Sequence, residues 1–108
     1  MSVKPKVICL CGSTKFYEEF MRANAEETLK GNIVISVGIF CHKPELYNPP
    51  ISVSEADKQM LDELHKTKID MSDEILVINK DGYIGQSTKN EIEYSKLHNK
   101  VIKYYFGE

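Results

Sequence analysis

Glu91 is the residue of this chain best placed to do chemistry. It follows Gly82-Tyr83-Ile84-Gly85-Gln86-Ser87-Thr88-Lys89-Asn90, so glycines and hydroxyls lead into one carboxylate. The apolar run Ile75-Leu76-Val77-Ile78 precedes this stretch, and a helix-like segment to His98 follows it. Such a carboxylate can serve as a nucleophile or accept a hydrogen bond from a sugar hydroxyl. The same residues also fit T-x-x-E, a capping box, in which Glu91 only reaches back to a backbone N–H. On spacing alone the capping box accounts for Glu91.

A second cluster, Gly12-Ser13-Thr14-Lys15, lies between an apolar run and a helical pattern. Free N–H groups, two hydroxyls and an ammonium suit an anion at a helix start. Neither G-x-x-x-x-G-K nor G-x-G-x-x-G is present, which excludes a Walker loop and a dinucleotide fingerprint. A plain N-cap on Ser13 or Thr14 uses the same groups. His65, near Asp62 and Glu63, and His42, near Pro44, read as solvated by default. Cys9 and Cys11 are expected on opposite faces of a strand, as reduced thiols packed like small hydrophobes. Cys41 and His42 supply two ligand types, and nothing beside them completes a zinc site.

The elements that must hold these residues follow from pattern. Strands are expected over 6–11, 33–37, 74–79 and 101–106, where short apolar runs meet glycine or asparagine breaks. Helices are expected over 15–30, 54–71 and 87–98. Phe16, Phe20, Ala23 and Leu29 form the inner face of the first, and Ala56, Met60, Leu61, Leu64 and Ile69 that of the second. Gly31 and Asn99 are stop signals, and Ser54-Glu55-Ala56-Asp57 is a start signal. The stretch 38–53, with His42, Pro44, Pro49 and Pro50, reads as a long loop. Alternating strands and helices imply a single small α/β domain, Rossmann-like or flavodoxin-like, of three layers with a mainly parallel sheet of about four strands. Strand order 2-1-3-4 puts the topological switch between the first and third strands. The turns after those strands, Gly12–Lys15 and Gly82–Glu91, then face one crevice.

Composition narrows the partners. The chain has 108 residues, a formal net charge of -2 and mixed signs along its length. No basic stripe points to a nucleic acid polymer and no polybasic amphipathic helix to a membrane. Met1 to Lys6 leads into an apolar segment too short for a signal-peptide core, and the three cysteines fit a cytoplasmic chain.

Cys11-Gly12-Ser13, then Ser72-Asp73-Glu74-Ile75-Leu76-Val77, then Gly85-x-x-Thr88-x-x-Glu91-Ile92-x-x-Ser95, resembles the nucleoside 2-deoxyribosyltransferase-like superfamily, which includes 2'-deoxynucleoside 5'-monophosphate N-glycosidases. The resemblance spans nearly the whole chain, which is shorter than typical members. It implies a Rossmann-like domain assembled as a homodimer or larger homo-oligomer, with a small-molecule nucleoside or nucleotide as ligand and no metal or redox cofactor. It implies Glu91 as the nucleophile that attacks the anomeric carbon of a deoxyribose and forms a covalent glycosyl-enzyme. Ser13 and Lys15 would hold a 5'-phosphate, helped by Ser87 and Thr88, with Gly12, Thr14 and Gly85 completing the cradle. His65 stands where the family has an aspartate that protonates or orients the leaving base. A histidine can donate a proton to a purine nitrogen. The exchange equally fits an altered or lost transferase activity, and Asp62, one helical turn away, is the other candidate. The expected function is cleavage or transfer at the N-glycosidic bond of a 2'-deoxynucleoside or its 5'-monophosphate. The alternative is a non-catalytic module on the same fold that senses a nucleotide, with Glu91 bonded to a ribose hydroxyl.

Overall fold

The computed structural model describes residues 4–107, so the first three positions of the stretch read for a targeting segment lie outside the described residues. Four strands form one all-parallel sheet: β1 (Val7–Gly12), β2 (Ile33–Ile35), β3 (Glu74–Ile78) and β4 (Val101–Tyr104). Their order is β2-β1-β3-β4, as expected, with Gly12 opposite Ile78 at the last register of the central pair. Three helices connect them: α1 (Tyr17–Leu29), α2 (Glu55–Asp70) and α3 (Gln86–Leu97). Among the described residues no helix is long and apolar enough to cross a membrane.

The strands of a covered parallel sheet are buried on both faces, so every residue of β3 is buried. Ile8, Leu10, Leu76 and Ile78 face α1 and pack with Phe20, Ala23 and Phe40. Cys9, Cys11, Ile75 and Val77 face the other way and pack with Ile69 of α2 and Ile92 of α3. The helices thus cover both faces and make three layers. Cys9 and Cys11 therefore share a face, against the expectation of opposite ones. Strand side chains repeat every two residues, so positions i and i+2 always lie on the same side.

Two helical faces also differ from expectation. Leu29, the last residue of α1, is 88% exposed. On α2 only His65 and Ile69 are buried, while Met60 and Leu64 are 53% and 45% exposed. A helix of 16 residues is about 24 Å long, whereas a five-residue strand covers only about 17 Å. The N-terminal half of α2 therefore overhangs the carboxyl ends of the strands and becomes a wall there instead of a core face.

The helix ends follow the sequence signals closely at α2. The Ser54 side chain accepts a bond from Asp57 N–H at 3.0 Å, and Ser54 N–H donates to Asp57 Oδ2 at 3.0 Å. Ser54→Ala is expected to cost about 1 kcal/mol in a denaturant titration, because it leaves an N-terminal N–H without its protein partner. Gly31 and Asn99 adopt φ of 89° and 59°, the left-handed conformation that ends α1 and α3. The loop between β2 and α2 is anchored from within: Phe40 is buried beside Phe20, and its N–H donates to the Tyr47 hydroxyl.

Candidate functional site

The two turns at the carboxyl ends of β1 and β3 face each other across a crevice of about 660 Å³. That is within the usual size range of small-molecule sites. Gly12, Ser13, Thr14 and Lys15 line one side, Gly85, Ser87, Thr88 and Glu91 another, and the overhang of α2 with Asp62 and His65 a third. The nine residues expected to form the site, and Asp62 as the alternative to His65, thus border a single space.

The first turn depends on glycine. Gly12 has φ of 155°, and a Cβ there would lie 2.9 Å from the Ile78 carbonyl oxygen and 3.0 Å from Ile78 Cβ. The β1 and β3 backbones can approach this closely only because that side chain is missing. Neither hydroxyl of the turn caps α1, whose N-cap position is Phe16 and carries no side-chain cap bond. Ser13 Oγ accepts from Lys15 N–H at 3.3 Å, and Thr14 Oγ1 pairs with His42 Nδ1. His42 thus reaches from the long loop to the turn, although its ring remains exposed. The Lys15 ammonium rests 3.7 Å from the centre of the Tyr83 ring, a cation–π contact across the mouth of the crevice.

The second turn removes the capping box from Glu91. Helix α3 begins at Gln86, with Gly85 as its N-cap and no side-chain cap bond. Thr88 is therefore its third residue and Glu91 its sixth, more than a turn inside the helix. Lys89 N–H donates to the Gly85 carbonyl in the first helical bond. The preceding N–H groups of Gln86, Ser87 and Thr88 have no acceptor in the helix. Ser95, at the base of the helix, donates to the Glu91 carbonyl at 2.8 Å, and Ile92 enters the core. These neighbours fix the side of the helix from which Glu91 projects. Asn79 pins the end of β3, because its side chain both donates to the Phe106 carbonyl and accepts from Phe106 N–H.

At the floor of the crevice, Glu91 Oε1 lies 3.9 Å from His65 Nε2, and their side chains are only 13% and 8% exposed. Behind them, Cys9 Sγ and Cys11 Sγ lie 3.6 and 3.5 Å from the same Nε2. Burial pushes the Glu91 carboxyl up to about 7, and the Cys9 and Asp62 charges add to this, against the opposing pull of His65 and the Cys11 thiol. For His65, burial favours the neutral ring, but the bond to Cys9 and the Glu91 charge outweigh it and hold the imidazole above its ordinary value. Cys9 is drawn down to about 5, first by the hydrogen bond from Cys11 and then by His65. Cys11 is pushed up in turn by Cys9 and by burial. The floor is a coupled set of four ionisable groups, and such sets gather at functional sites.

Compared with family models, curated proteins and solved structures, the chain has no match.

The sequence reading missed the two thiols beneath the floor, although the two-residue period of a strand was the signal that placed them together. The Tyr83 ring holds Lys15 and meets Phe16 edge-on at 5.9 Å. Other polar residues serve the frame. Asp73 Oδ2 accepts from Val7 N–H, Tyr94 donates to Asp70, and Lys100 donates to the Ser72 carbonyl.

Proposed function

We propose that the protein cleaves or transfers at the N-glycosidic bond of a 2'-deoxynucleoside or its 5'-monophosphate, with Glu91 as nucleophile. The observation that carries this reading is the setting of Glu91: a carboxylate free of any capping duty, nearly buried at the base of the crevice, with an imidazole 3.9 Å away. A glutamate employed only as a cap would instead sit at the third helical position. The choice of sugar and base rests on the resemblance of the Gly85 to Ser95 pattern.

In the first step a Glu91 oxygen attacks C1' of the deoxyribose and the C1'–N bond breaks. The electron pair leaves with the base nitrogen, which takes a proton from His65. In the second step water, or an incoming base, attacks C1' from the vacated side. The C1'–O bond to Glu91 breaks, the carboxylate is restored, and the nucleophile's proton returns to His65. Two displacements at one carbon retain its configuration. Burial suits this chemistry, since a poorly solvated carboxylate needs little solvent reorganisation to reach an oxocarbenium-like centre.

The free N–H groups at the start of α3, with Ser13, Thr14, Ser87 and Lys15, form the cradle for a 5'-phosphate. Lys15→Ala is expected to raise KM for monophosphates about tenfold, as the loss of one charged hydrogen bond predicts, and to leave nucleosides nearly unaffected. Steady-state kinetics on matched pairs of substrates checks this. The function itself is tested by incubating the protein with a panel of deoxynucleosides and their 5'-monophosphates and separating free base by chromatography. Binding without turnover across the panel would replace the enzyme with the nucleotide-sensing module. The homo-oligomer implied by the resemblance is part of the same proposal, and sedimentation velocity measures it.

A further inference from the structure

We infer that Cys9, Cys11 and His65 form a binding site for a thiophilic divalent metal ion of the zinc class, with Glu91 at the fourth position. The two sulfurs and the imidazole nitrogen all lie within 4.8 Å of one another, and all three residues are buried. Tetrahedral zinc with Zn–S near 2.3 Å and Zn–N near 2.0–2.1 Å sets sulfur and nitrogen about 3.6 Å apart. The observed separations are 3.6 and 3.5 Å.

Cys11 and Cys9 share a hydrogen bond, yet both sulfurs also sit against one imidazole nitrogen. An imidazole nitrogen carries either one hydrogen or one lone pair, so it makes one good hydrogen bond. Here two thiols converge on the same Nε2. A metal ion shared between two sulfurs and that nitrogen satisfies all three at once.

The donor set also selects the ion. Two thiolates and an imidazole favour zinc-class or cuprous ions over magnesium or calcium, which take oxygen ligands. Glu91 Oε1, 3.9 Å from His65 Nε2, is a largely buried carboxylate oxygen placed to close a tetrahedron. The ligands come from rigid elements. β1 fixes both sulfurs on one face, α2 supplies His65, and α3 supplies Glu91. Access runs through the crevice, which His65 and Glu91 line.

The inference goes beyond the glycosidic reading, which belongs to the metal-free chain because a bound ion would occupy His65 and Glu91, and it is tested by bound metal rather than by turnover. The reduced, chelator-stripped full chain is titrated with Zn²⁺ against a chromogenic chelator, and separately with Co²⁺. The expected result is one ion per chain and, with cobalt, a thiolate-to-metal charge-transfer band with tetrahedral d–d absorption. Cys9→Ser and Cys11→Ser should each weaken Zn²⁺ about 100-fold or more, because losing a ligand costs at least what outer-shell changes do. Cys41→Ser should leave Zn²⁺ affinity unchanged. A wild-type chain without the cobalt–thiolate band overturns the site whether or not the serine variants fold. So does zinc binding that survives both core substitutions in folded protein.

Discussion

Glu91→Gln should abolish release of free base, lowering kcat on the order of 10⁴-fold or more, and should also make the metal-free protein more stable at pH 8. The first effect follows from nucleophile chemistry. An amide oxygen does not form the glycosyl ester, so both displacements lose their common intermediate. The second follows from burial. The Glu91 carboxyl is raised to about 7 from an ordinary 4.5, so between these values the folded state holds a proton that the unfolded state has released. Stability therefore falls as pH rises through this window and stays low above it. Glutamine carries no charge to desolvate and removes that loss. The expected gain at pH 8 is on the order of 2 kcal/mol, shrinking towards zero by about pH 4. Denaturant titrations of both proteins across this range measure it. A glutamate acting only as a helix cap would show neither effect, since glutamine keeps capping-box chemistry. Loss of activity with lower stability at pH 8 would contradict the desolvated-nucleophile account.

His65→Gln should lower kcat for natural deoxynucleosides by roughly 10²- to 10⁴-fold, the usual worth of a general acid, with much less change in KM. Substrate choice separates this role from a structural one. A purine or pyrimidine leaves poorly as an anion and needs the proton. A deoxyriboside whose leaving group departs readily without protonation does not. The variant should therefore recover most of its rate on the activated substrate, whereas a collapsed site would lose both reactions equally. His65 is buried against Cys9, Cys11 and Glu91, so glutamine, which keeps hydrogen-bonding capacity, is the informative replacement. Equal losses on both substrates, in a variant that melts normally, would pass the acid role to Asp62, which lines the same wall.

Much of the frame was legible because it is local. Apolar runs broken by glycine and asparagine place all four strands and three helices within a few residues of where they stand. Ser54 and Asp57 announce the start of α2 through a reciprocal bond that spans only three residues. The alternation of strand and helix, with right-handed crossovers, gives the parallel order β2-β1-β3-β4, and that order alone brings the turns after β1 and β3 together.

The role open to Glu91 was decided only in three dimensions. T-x-x-E is a capping box if the helix starts at Thr88, and it starts at Gln86 instead, so a shift of a few residues frees the carboxylate. The inner face of α2 was misjudged for a related reason. Periodicity shows which residues share a side, not how far the helix outruns the sheet, and the overhang leaves Met60 and Leu64 without a core to pack against. The convergence of Cys9, Cys11, His65 and Glu91 was hidden for a third reason. These residues come from three elements up to 82 positions apart in the chain, and only packing both helices onto one face of the sheet brings them together. Short-range sterics and hydrogen bonding set the elements, their order and the two turns, which is why the amino-acid pattern was enough to find them. The partners of Glu91 and the upward push on its carboxyl come from burial and charge proximity, which exist only once the chain has folded.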